Sequence, residues 1–412
     1  MDFMTMLFRR CKTAAHVACA AGALSLVAPA LALAQGDPNP GGLVLAHAFA
    51  SEESSRPASA AFAGSAATQQ SAAEDSGVLN FFRKTELAGF ADVYFHYNFN
   101  DPTTGSFTPL RNFDSQHNQF SFALAELAFI KPATSDDRVG FRLDLDYGPV
   151  ADAVNAFEPG GDVFRNIQQG YISYMAPVGS GLTVDIGKFV TQHGAEVIES
   201  KDNWNYSRSL LFALAIPYYH MGVRVAYSPN DKLIVGGAVV NGWNNATDNN
   251  SGKTFGLQAV LKPTGSVSIV QNYMGGPEQN DNADDWRHLS DTTITYTVND
   301  MLSVMGNYDY GRDTGSTWQG VGLYAKAQAN PNFALIPRIE FLEDKHGFMS
   351  GLSQKLKEFT LTAEVKHSQG LIMRVEYRRD WSDEDFFIKD TGLRANQNTF
   401  TVGMVYAFST RQ

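Results

Sequence analysis

Arg138, Arg142, Asp144 and Asp146 share one side of a period-two stretch, and Arg374, Glu376, Arg378 and Asp380 repeat the pattern near the end of the chain. Ionised groups spaced this way do not assemble a nucleophile with its base. They line a surface, where they orient water and discriminate between charged solutes. Arg138, Arg142, Arg224, Arg338, Arg374 and Arg378 are therefore candidates for a polar wall. Inward acids on the same pattern are Asp92, Asp144, Asp146, Asp185, Glu340, Glu364 and Glu376, and their number predicts a weak preference for cations. For any one of these charges the plainer role is a cross-strand ion pair. Bond-making chemistry has little to stand on. His96, His117, His193, His220, His288, His346 and His367 are scattered, with no nucleophile motif and no metal-ligand spacing beside them. Asp281, Asp284 and Asp285 read as a solvated acidic loop. Neither an enzyme nor a metal site nor a cofactor is expected.

The elements that hold these charges are strands. In 138–147 the polar residues alternate with Val139, Phe141, Leu143, Leu145 and Tyr147. In 358–366 the other face carries Phe359, Leu361, Ala363 and Val365. Two faces with a repeat of two define a strand with one apolar side. Sixteen such segments run from about 86 to 409. Connections after even-numbered strands are short and built from Pro, Gly, Asn, Asp and Ser, as at 132–137, 177–181, 229–231 and 368–370. Those after odd-numbered strands are mostly longer, as at 100–116, 192–217 and 383–397. Short turns at one end and long loops at the other are the signature of a transmembrane barrel. The expected fold is all-β: a closed antiparallel β-barrel of about sixteen strands over 81–412. At that strand number a barrel encloses an aqueous channel. Two segments break the pattern: Glu126 shares a face with Phe120, Phe122 and Leu124, and 165–176 does not alternate cleanly.

Composition agrees. Of 412 residues, 12% are aromatic and only 18% charged, with 36 Gly, a balance that suits strands better than helices. Mean hydropathy is −0.21, which excludes a bundle of apolar membrane helices. The net charge of −11 gives no basic footprint for nucleic acid. Residues 1–34 read as a cleaved export signal: Arg9, Arg10 and Lys12, then an Ala/Leu run ending Ala32-Leu33-Ala34. Both cysteines, Cys11 and Cys19, lie within it, so a mature chain from about Gln35 has no thiol chemistry. Residues 35–80, rich in Ala, Ser, Gly and Pro, read as a flexible periplasmic leader, with a short helix near 78–84.

Residues 192–217 form the longest connection and contain Glu196, Glu199 and Asp202, then an apolar run at 210–216. Such a run is costly in water, so the segment is expected to fold inward as a constriction. Glu196, Glu199 and Asp202 would then face the arginine wall and set up a transverse field. GKFVTQHGAEVIESKDNWNYSRS (187–209), with IPYYHMGVRVAYSPNDK, VVNGWNN, GFADVYFHYNFN and RVGFRLDLDYG, resembles the OmpL-like β-barrel porin family of Gram-negative outer membranes. The resemblance covers about 80–412 and implies an outer-membrane porin: a water-filled barrel in outer-membrane lipid through which small hydrophilic solutes and ions diffuse. By analogy it brings a homotrimer into consideration. A channel specific for sugars or oligopeptides is the main alternative, with Tyr94, Tyr218 and Trp243 as aromatic contacts, ahead of an adhesin or purely structural barrel.

Overall fold

The computed structural model describes residues 77–102, 107–390 and 392–411. The export signal and the leader up to residue 76 lie outside them. The chain enters through a short helix, α1 (Gly77–Lys84), and then builds β1 (Glu86–Asn98), β2 (Gln119–Lys131), β3 (Val139–Tyr147), β4 (Ile167–Ala176), β5 (Leu182–Val190), β6 (Tyr219–Asn230), β7 (Leu233–Val240), β8 (Thr254–Thr264), β9 (Val267–Gln279) and β10 (Asn282–Asn299). There follow β11 (Leu302–Asp313), β12 (Ser316–Asn330), β13 (Phe333–Asp344), β14 (Gln354–Lys366), β15 (Leu371–Ser382), the small hairpin β16 (Phe387–Lys389) and β17 (Gly392–Arg394), and β18 (Asn396–Ser409). A second helix, α2 (Pro149–Val154), lies between β3 and β4.

Each strand pairs antiparallel with its sequence neighbours, and β18 pairs with both β15 and β1, so the sheet closes into a sixteen-stranded barrel outside the β16–β17 hairpin. Closure removes the open edges that lipid does not tolerate. Alternate residues point to opposite faces. On β15 Arg374, Glu376, Arg378 and Asp380 are buried inside, while Met373, Val375 and Tyr377 are exposed outside. An outer face of Ile172, Ile186, Leu257, Leu323 and Val375 is the lipid-facing surface of such a barrel.

Both irregular segments are bulges. Asp92 pairs with Leu124 and Val93 with Phe122, so Ala123 is the extra residue. It leaves Phe120 and Phe122 outside and turns Leu124 and Glu126 inward. On β4 the register skips Gln168, between Asp144–Gln169 and Leu145–Ile167. Two external connections are shorter than expected. β9 and β10 meet in a turn at Asn280-Asp281, with Asp281 at φ 57°, and β11 and β12 meet at Thr314-Gly315. Asp284 and Asp285 thus belong to an extended β10 rather than to a loop. The strands lengthen there because cross-strand pairing replaces loop, which the polar composition of 280–285 does not reveal.

Candidate functional site

The third external loop, between β5 and β6, lies inside the barrel. Its apolar run 210–216 is at most 1% exposed, packed on the inward wall residues Trp318, Leu342 and Leu356. Leu110, Trp243, Met349 and Phe387 from other loops join the same cluster, so the loops meet over the external half of the lumen. A short helical turn, Leu211–Ala215, shapes the run. The hydroxyl of Ser209 accepts from the Phe212 amide at 3.0 Å at its start, and the Trp318 indole donates to the Ala215 carbonyl at 3.0 Å at its end.

The wall provides the partners of the loop backbone. Glu340 accepts from the amides of Leu210 (2.6 Å) and Leu211 (3.2 Å). Glu376 accepts from those of Tyr206 (2.8 Å) and Ser207 (3.1 Å). Asp291, on β10 three strands round the wall from β13, accepts from Gly194 at 3.0 Å. Loop carbonyls take arginine donors. Arg374 reaches Ser200 (2.5 Å) and Asn203 (2.6 Å), Arg338 reaches Ser207 (2.7 Å), and Arg378 reaches Arg208 (2.6 Å). A buried amide or carbonyl without a partner costs about 1–3 kcal/mol, so the charged wall is what makes insertion of this backbone affordable. Two glycines leave room for it. A Cβ on Gly320 would meet Leu211, and one on Gly403 would meet the Tyr206 ring.

The predicted wall residues separate into two groups. Arg338, Arg374 and Arg378 point inward as expected but are buried against the loop rather than facing open water. Arg338 pairs with Glu196 at 2.8 Å and with Glu358; Arg374 pairs with Glu364 at 2.7 Å; Arg378 pairs with Asp380 at 2.7 Å. Arg224 is also buried, on Asp185 at 2.8 Å and over the Tyr171 and Phe189 rings. Arg142, on Asp144 at 2.8 Å, keeps 27% of its side chain exposed, and Arg138 is part-buried at the foot of β3, donating to the Met175 carbonyl at 3.1 Å. Glu196 also accepts from the Ser209 amide at 2.7 Å. Glu199 is buried, and burial raises its carboxyl above the ordinary value. Asp202 lies beside Lys201 at 2.5 Å and stays accessible. Lys326 and Lys366 of the inward face, both on Glu364, also keep contact with water. Tyr94, Tyr218 and Trp243 are buried in the loop clusters, where no sugar reaches them.

Glu340 and Glu376 were legible as inward positions but not as holders of the loop, and Asp291 and Trp318 were not singled out at all, since the partners of all four lie about a hundred or more residues away. Glu158, in the second loop, has no sequence signal at all. It accepts from the amides of Ala246 and Thr247, each at 2.8 Å, and from the Tyr219 hydroxyl at 2.7 Å, tying the second loop to the fourth.

A closed sixteen-stranded wall, apolar outside and ionic inside, with a loop strapped across its lumen, is a barrel of the porin class. The chain belongs to the family described as "Putative beta-barrel porin-2, OmpL-like", which matches residues 84–408. No curated protein matches it. Solved structures with the same fold include the trimer form of in-vitro folded OmpT of Vibrio cholerae (12% identity, TM-score 0.54, covering 79% of this chain and 99% of that one). The outer membrane channel DcaP of Acinetobacter baumannii (12%, 0.51, 79% and 97%) and an anion-selective porin from Comamonas acidovorans (12%, 0.51, 79% and 99%) are similar to the same extent.

Proposed function

We propose that this chain is a narrow outer-membrane diffusion channel for small hydrophilic solutes and ions, whose third loop is a fixed constriction. The observation that carries this is the strapping of that loop to a broad arc of the wall, by Asp92 of β1, Arg374 and Arg378 of β15, Arg338 of β13 and Asp291 of β10. A loop held by charge-assisted bonds to several strands sets a cutoff instead of fluctuating. Export through residues 1–34, insertion in the outer membrane and assembly as a homotrimer belong to the same proposal. Its support is the family match, the lipid-facing outer surface and the trimer form of OmpT.

The selectivity we infer is the reverse of the one the sequence predicts. The inward acids Asp92, Asp144, Asp185, Glu340, Glu364 and Glu376 are buried. On the inward wall and the third loop, the charged side chains that keep water contact are mostly Arg142, Lys201, Lys326 and Lys366, against Asp202. Inside the lumen mobile ions meet mainly these cations, which favours anions. Single-channel recording of the purified protein in a planar bilayer tests both claims. Small ohmic steps with a reversal potential on the anion side support the proposal. A silent bilayer refutes the channel and favours a structural barrel, while block by a single saturating solute favours a specific channel.

A further inference from the structure

A cation on the lipid side of a barrel wall costs about 2–4 kcal/mol at the bilayer midplane and little near its edges. β14 and β15 place cations on that side at their external ends. Lys355 and Lys357 are exposed outward between the buried Gln354, Leu356 and Glu358. Arg379 is exposed outward between the buried Arg378 and Asp380. The register sets Lys357 between Phe341 and Trp381, and Arg379 opposite Phe359. Lys357 and Arg379 are therefore diagonal neighbours, within reach of one ligand. The Arg379 guanidinium stands over the Trp381 ring at 5.3 Å. Lys355 is partly neutralised by Glu343 at 3.3 Å, but among the described residues neither Lys357 nor Arg379 has a carboxylate partner.

Beside these cations the outer surface is indented. A groove of about 300 Å³ runs along Tyr308, Val321, Phe341, Glu343, Lys355 and Lys357. Val321, Phe341, Leu342 and the Tyr308 ring give it an apolar side, Gln319, Glu343 and Lys355 line its external edge, and Lys357 lies at the level of the aromatic Phe341 and Trp381. Such aromatics sit where acyl chains give way to headgroups. A soluble anion would satisfy the cations and leave the groove empty. A neutral lipid would fill the groove and leave the cations unpaired. One molecule answers both: an amphiphile with a phosphate at the top of an acyl chain. Guanidinium binds phosphate through two parallel bonds, and ammonium adds a point charge.

We propose that the external end of β13–β15 is a binding site for a phosphate-bearing lipid of the external leaflet, with its phosphate on Lys357 and Arg379 and an acyl chain in the groove along Phe341 and Val321. This rests on the outer-membrane reading above. The test is native mass spectrometry of the detergent-solubilised full chain with a bisphosphorylated diglucosamine lipid (lipid A) and with its dephosphorylated form. The expected result is an adduct with the phosphorylated lipid alone, reduced about tenfold or more in Lys357→Ala/Arg379→Ala. Lys357→Arg/Arg379→Lys should restore it, and Lys232→Ala, at a turn of the opposite end, should leave it intact. Equal adducts in the double alanine variant, or equal binding of the dephosphorylated lipid, overturn the proposal. So does inorganic pyrophosphate that displaces the lipid at equal concentration, since the groove would then contribute nothing. Planar-bilayer currents of the same samples judge the channel reading separately; they should be the same in the double alanine variant.

Discussion

Arg338 touches more acids than any of its neighbours on the wall: Glu196 at 2.8 Å, Glu358 on the next strand, and Glu340 at 3.8 Å. Replacing it by alanine removes the cation that three buried carboxylates share, leaving Glu358 with Arg378 alone. Breaking such a pair from one side costs about 3–5 kcal/mol. Arg338→Ala should therefore lower the urea midpoint of the folded barrel, whereas Arg142→Ala, at a partly wet pair, should shift it far less. Glu199 gives the loop a pH response. Burial lifts its carboxyl above 4.5; Lys201 and Arg142 pull it down and Asp202 pushes it up. Below the ordinary value the group is neutral in docked and undocked loop alike. As pH rises from there, the undocked carboxyl ionises first and gives up its proton, so docking weakens until the raised value is passed. Open-channel current noise should grow with pH over that window and lose its slope in Glu199→Gln. A slope that survives the substitution would remove Glu199 from this role.

At the scale of elements, the strands were legible and the contents of the barrel were not. Alternation on β3, β14 and β15 fixed both faces, because a repeat of two survives wherever one face meets lipid and the other is polar. It failed at Ala123 and Gln168, where one extra residue reverses parity; for Glu126 the sequence leaves a bulge or a subunit contact open, and the pairing shows the bulge. The inward arginines were found, but not what they hold. Local spacing carries no information about a carbonyl 171 or 174 residues away, as between Arg374 and Asn203 or Ser200. The apolar run 210–216 was the one usable hint, since nothing but burial suits it. The fit of this loop depends on small wall residues. Gly403→Val should push the Tyr206 ring from its place, breaking its 2.8 Å bond to Asp92 and the amide contacts to Glu376. The expected readout is a larger and noisier conductance from a barrel that still shows the heat-modifiable mobility of a folded β-sheet. An unchanged conductance would mean that this stretch does not limit flow.

For the molecule as a whole, charge is sorted by depth. The acids of the wall are mostly buried under arginine, and a few lysines face what water remains. Net charge, −11 over the full sequence, therefore misleads about the lumen, because it weights buried and wet groups alike. Lys326→Glu combined with Lys366→Glu should move the reversal potential toward cations, in a salt gradient, by reversing two wet charges on one side of the lumen. A potential that stays put would place the filter elsewhere.

The two ends of the wall meet on one rim. The Leu87 amide donates to the Thr410 hydroxyl at 2.9 Å, and the Arg411 guanidinium to the Lys84 carbonyl at 2.6 Å. Where the polypeptide starts and stops is thus a matter of gene order, not of architecture. A circular permutant, spliced from 411 to 84 and reopened in the turn at 367–370, should thread the same cylinder with β15 as its first stave.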